Sequence, residues 1–129
     1  MKKIGLLFLV FTLLVASTVV LFTGCGLFKE ITVEEAKANL EAAGYEVTVM
    51  PGIEYVDSDD NPYPFILSSE LDYYLYAVKG DDLIHIFFFN SIDIASQNYS
   101  FMNDAKLLSG QHNKVVYLAT KQARTDAKV

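Results

Sequence analysis

One thiol and two imidazoles are the most reactive groups in this chain of 129 residues. Cys25 follows Thr23 and Gly24, small residues that let another protein approach the backbone, and its thiolate is the only good nucleophile nearby. His85 lies in Ile84-His85-Ile86, an alternation that predicts a strand side chain with a hydrogen-bonded ring rather than a general base. His112 falls between Gly110 and Lys114, where a turn would leave it solvated. No Gly-x-Ser-x-Gly elbow, His-Glu-x-x-His pair or phosphate-cradling glycine loop is present. Acids are plentiful, but a glycosidase pair is defined by its separation in space, which spacing along the chain does not supply. The chain therefore reads as a non-enzyme with no cofactor. The alternative from a different class is a small surface hydrolase using carboxylates and His85.

Two further patterns bear on binding. In Asp57-Ser58-Asp59-Asp60-Asn61-Pro62, the oxygens of Asp57, Asp59 and Asn61 match the first, third and fifth positions of a calcium loop. Pro62 then stands where the turn glycine belongs and Ser68 where the bidentate glutamate belongs, so a hydrated acidic loop competes with a calcium-stabilised surface protein. The second pattern is the aromatic run around Gly80-Asp81-Asp82. If Gly80-Asp81 forms a two-residue turn, Leu75, Ala77, Ile84, Ile86 and Phe88 share one face of a hairpin. Tyr74, Tyr76, His85, Phe87 and Phe89 share the other. A three-residue turn would mix the two sets. Both faces are apolar or aromatic, which fits a central strand covered on both sides, for instance by the closing helix. It also fits an aromatic face left open for a protein, a glycan or a second copy.

Composition narrows the partners. Ten basic and sixteen acidic residues leave a net charge of −6. A phosphate backbone demands clustered Lys and Arg, so nucleic acid is excluded as a partner, as is a polybasic clamp on anionic lipids. An apolar content of 52% excludes a disordered chain, and a single cysteine excludes an internal disulfide. The length accommodates one domain.

Lys2 and Lys3 precede an apolar stretch from Ile4 to Phe22, with no charge before Lys29. Such a segment partitions into a bilayer with its lysines on the cytoplasmic side, which carries everything downstream across. At its end stands Leu21-Phe22-Thr23-Gly24-Cys25-Gly26. Phe22, Thr23, Gly24 and Cys25 resemble the lipobox of bacterial lipoprotein signal peptides, with Phe22 in place of the usual Leu, Val or Ile. The resemblance implies diacylglyceryl attachment to the Cys25 sulfur and cleavage before it. Two acyl chains make a stable anchor where one is marginal. An uncleaved transmembrane helix is the alternative, and it leaves the same domain outside the same membrane.

The domain that follows should lie close to the bilayer, because residues 26–30 make only a short tether. Thr32 with Glu35 is a capping box, Ala36, Leu40 and Ala43 recur at helical spacing, and Gly44 is a stop. Tyr45, Val47 and Val49 alternate as a half-buried strand that Met50-Pro51-Gly52 ends. This opening is similar to the start of a PASTA-type module over residues 32–49 but does not continue, so no peptidoglycan binding is implied. Residues 53–64 read as a loop, and Phe65-Ile66-Leu67 as a turn of helix. Strands are predicted over 71–79 and 83–89. Asn90-Ser91 caps a helix whose Ile92, Ala95, Tyr99 and Met102 share a face, with Ala105 as a further extension. Ser109-Gly110 and Asn113 read as a turn, Val115 to Leu118 as a last strand, and Thr120 as the cap of a helix through Ala127.

The predicted fold is α+β, in the order α-β-β-β-α-β-α, after the N-terminal apolar helix. It has about four mostly antiparallel strands with helices mainly on one face. If the third and fourth strands are parallel, they form a right-handed crossover around the second helix. Asp81-Asp82, Ile86-Phe87-Phe88-Phe89 and the ending Val115 to Ala123 make the exported part similar to small, functionally unassigned lipoproteins of low-GC Gram-positive bacteria and mollicutes. The expected organisation is a signal peptide at 1–24, acylated Cys25 and tether at 25–30, and an extracytoplasmic domain at 31–129. The expected function is a lipid-anchored binding or scaffolding module on the outer face of the cell membrane. Its partners would be the membrane through its anchor and a protein, glycan or second copy.

Overall fold

The computed structural model describes residues 30–59, 61, 63–102, 104 and 106–129. Helix α1 spans Val33–Ala42; the Thr32 hydroxyl accepts from the Glu35 backbone N–H at 3.2 Å, satisfying one of the free donors of its first turn. Its Ala36 and Leu40 are buried, and Gly44 leaves it at φ +92°, a left-handed conformation that a glycine adopts without steric cost. Strand β1 (Glu46–Pro51) follows, then a short helix α2 (Gly52–Asp57), strands β2 (Leu71–Lys79) and β3 (Asp82–Phe89), and helix α3 (Ile92–Tyr99). Strands β4 (Leu108–His112) and β5 (Val115–Ala119) precede the closing helix α4 (Lys121–Ala127). The five strands form one antiparallel sheet in the order β1-β2-β3-β5-β4.

The expected order α-β-β-β-α-β-α with about four strands is therefore corrected to α-β-α-β-β-α-β-β-α with five. Two elements account for the difference. Helix α2 lies inside the Asp- and Pro-rich stretch that reads as a loop, and Pro51-Gly52, taken as a strand stop, is where it begins. Strand β4 contains Ser109 and Gly110, residues with little strand preference, yet both pair with β5. Of Ser109, Gly110 and Asn113, Asn113 alone, at φ +55°, belongs to the turn between the two strands, which it forms with Lys114. The extra strand reverses the chain once more, so β3 and β5 are antiparallel and there is no crossover between them.

The helices also do not gather on one face. Leu75, Ala77, Ile84, Ile86, Phe88, Val115, Tyr117 and Ala119 pack against Ala36 and Leu40 of α1 and Ala123 and Ala127 of α4. Tyr74, Phe87, Phe89, Val116 and Leu118 pack against Tyr55 of α2 and Ala95 of α3, with Ile66 from the connecting segment. Two helices cover each side, because apolar side chains project from both faces of the central strands and each set is withdrawn from water by its own pair of helices. In α3 the buried residues are Ala95 and Asn98, followed by Met102, whereas Ile92 is turned outward.

Candidate functional site

The hairpin between β2 and β3 adopts the two-residue turn: Lys79 pairs with Asp82, leaving Gly80-Asp81 between them, with Gly80 at φ +60°. That register pairs Tyr76 with His85, Tyr74 with Phe87 and Leu75 with Ile86. The five aromatic residues of the second face thus come together, but they do not form one open surface. Phe87 and Phe89 are fully enclosed by α2, α3 and the segment before β2, and Tyr74 is buried beside them. The closing helix lies on the opposite face. Tyr76 and His85 alone stay half-buried.

These rings form a ladder along the sheet. Tyr76 stacks on His85 at 5.0 Å, His85 on Tyr74 at 6.0 Å, and Phe87 on Phe89 at 6.2 Å. Tyr55 meets Tyr74 at 4.6 Å and Phe87 edge-on at 5.6 Å, a geometry that places positive ring edges on negative faces. At the open end of the ladder is a cleft of about 440 Å³. Thr48 and Met50 of β1 form one wall, Tyr55 and Ser58 with Asn61 another, and Tyr74, Tyr76 and His85 the floor.

The described residues that line this cleft are uncharged. The Tyr74 hydroxyl lies 2.6 Å from His85 Nδ1. Burial raises the Tyr74 phenol well above its ordinary value of 10, so it keeps its proton and donates it. Burial also lowers the His85 imidazole from 6.5 to about 4, against an opposing pull from the Asp104 charge. With Nδ1 accepting and the ring neutral, the remaining proton sits on Nε2, leaving His85 a neutral ring with one N–H donor. The Tyr55 hydroxyl is occupied by Tyr63, donating to its carbonyl at 3.3 Å and accepting from its N–H at 3.0 Å. Asn61 donates to the Tyr55 carbonyl at 3.2 Å and so holds the end of α2. Such an arrangement is chemically suited to neutral polar molecules. It is poorly suited to proton transfer near neutrality, because the imidazole is a weak base and its hydrogen-bond partner is a phenol, not a carboxylate.

The other expected sites fare differently. Asp57 is the last residue of α2 and Asp59 is exposed beyond it, while the Asn61 amide turns toward the helix end rather than toward either carboxylate. Among the described residues no group of three or more His, Cys, Asp or Glu is placed to hold a metal ion. His112 is exposed at the end of β4. Phe22, Thr23, Gly24 and Cys25 lie outside the described residues. Among the described residues no helix is long and apolar enough to cross a membrane.

The wall of Tyr55 and Ser58 was not legible in the sequence because α2 was not, and the wall of Thr48 and Met50 was not because it depends on the pairing of β1 with β2. A signal existed: Glu54 in the first turn is a helix-start feature. No protein-family model matches the chain, and neither a curated protein nor a solved structure does.

Proposed function

We propose that this protein is a lipid-anchored module on the outer face of the cell membrane that binds an uncharged glycan in the cleft beside Tyr76 and His85. The observation that carries the binding role is the lining of that cleft: tyrosine rings and one neutral imidazole, with no ionised side chain among the described residues that line it. A sugar ring offers an apolar face to an aromatic platform and hydroxyl oxygens to a donor such as His85 Nε2. The anchor rests on Thr23-Gly24-Cys25 behind an apolar run with a basic start.

Two measurements test the two halves. Titration with neutral oligosaccharides, followed by NMR of the two histidine rings, should shift the signals of His85 and leave those of exposed His112 unchanged. Tyr76→Ala should abolish the shift. If no neutral saccharide moves His85, or if a peptide does so instead, the glycan assignment is lost. In cells fed a labelled fatty acid, Cys25→Ser should remove the label and leave an unprocessed precursor; undiminished labelling would refute acylation at that sulfur.

A further inference from the structure

The strand register defines two ends of the sheet. One end carries Pro51 of β1, Leu71 of β2, Phe89 of β3 and Val115 of β5; the other carries Glu46, Lys79, Asp82 and Ala119. Backbone contacts knit the first end together. The Phe89 N–H donates to the Lys114 carbonyl at 2.9 Å, and the Asn90 N–H to the Glu70 carbonyl at 3.0 Å. Gly52, at the start of α2, lies so close to Leu71 that a Cβ would sit 1.8 Å from its carbonyl oxygen. Glu30, the first described residue, is fastened to this same end: its carboxylate accepts from the Lys114 N–H at 2.9 Å.

Tyr73 of β2, which pairs with Pro51, is 46% exposed at that end, and a large apolar side chain is exposed in the segment flanking each of three adjacent strands. Ile53 follows β1 and is 62% exposed, Leu67 precedes β2 at 58%, and Ile92 follows β3 at 52%. Strand spacing puts the ends of the four strands β1, β2, β3 and β5 within about 15 Å of one another. Ile92 is notable because its spacing in α3 matches Ala95 and Met102, which are buried, yet it faces outward.

We infer that this end of the sheet rests on the bilayer, with Ile53, Leu67 and Ile92 in contact with a zwitterionic phospholipid surface. The inference builds on the proposed acylation of Cys25. From Cys25 to Glu30 the chain takes five Cα steps, at most about 18 Å in any conformation. Nine residues of β2 span about 30 Å, so with the opposite end against the membrane Glu30 would stand beyond the reach of its tether. The tether thus holds down the end that presents exposed apolar side chains. Glu30, Glu54, Glu70, Asp72 and Asp93 flank these side chains against Lys114, which disfavours anionic headgroups and selects neutral ones.

The full-length acylated protein in phosphatidylcholine vesicles provides the test. Because acylation occupies the Cys25 sulfur, Ile53→Cys, Leu67→Cys, Ile92→Cys and Leu108→Cys each introduce a single free thiol for a fluorescent label. Leu108 is an exposed control at the opposite end, paired with Ala119. Lipids spin-labelled near the headgroup should quench the first three labels and spare the fourth, and anionic phosphatidylglycerol should weaken the quenching. Equal quenching at all four positions, or none at the first three on protein that floats with the vesicles, overturns the orientation alone. Protein that does not float overturns the anchor and this inference with it. Stronger quenching on anionic vesicles overturns the headgroup assignment.

Discussion

A histidine whose Nδ1 accepts from a buried phenol is a donor by construction, and its stability cost is paid in acid. The His85 ring holds its proton less tightly in the fold, with a value of about 4, than in the unfolded chain, at 6.5. Between those values the unfolded state binds more protons, so stability falls as pH drops from 6.5 toward 4 and the loss levels off below. The full effect is at most about 3 kcal/mol. Chemical denaturation of the wild type and of His85→Gln across this range should give a steeper acid slope for the wild type. Carboxylate contributions are common to both proteins and cancel in the difference; equal slopes would contradict the burial argument. The alternation around Ile84-His85-Ile86 already marks the ring as a hydrogen-bonded strand side chain. Its partner is less legible, because identifying Tyr74 requires the hairpin register and the cover above it.

At the scale of elements, close approach decides more than propensity. Helix α2 can start where it does because Gly52 has no side chain to meet the Leu71 carbonyl. Gly52→Ala forces backbone against backbone, so α2 must move off β2, and Tyr55 with it. A loss of about 2 kcal/mol or more is expected, together with lengthening of the Tyr55–Tyr74 contact, as read from thermal unfolding and NMR. Unchanged stability would mean that α2 does not sit against β2 in solution. Long elements with clear periods, β2, β3 and α1, are readable from residue types. The short ones, α2 and β4, are not, since each is held by neighbours: α2 by Leu71 and Asn61, and β4 by its pairing with β5 and by the Gln111 amide on the Ser96 hydroxyl at 2.9 Å.

In the whole molecule, two cores share one sheet. Ile86 and Phe87 are chain neighbours, both fully buried, one beneath α1 and α4 and the other beneath α2 and α3. Neither core can dissolve without exposing the back of strands that the other needs. Ile86→Ala and Phe87→Ala should therefore each destabilise a single transition, by about 2–5 and 3–5 kcal/mol respectively. Near- and far-ultraviolet circular dichroism should show coincident melting in both variants; separate midpoints would mean the two faces unfold independently.

Residue order alone determines the apolar and basic start, the run Phe22-Thr23-Gly24-Cys25, the acidic balance and the alternation within each strand of the central hairpin, whose register it leaves open. Each of these depends on local pattern and on chemistry that needs no neighbour. The tertiary structure decided how many strands there are, that helices cover both faces, and that Phe87 and Phe89 are buried while Tyr76 and His85 border a cleft. Those outcomes depend on which segments lie across from one another. A weak strand such as β4 or a one-and-a-half-turn helix such as α2 gains its stability from contacts distant in sequence, which no window of adjacent residues contains.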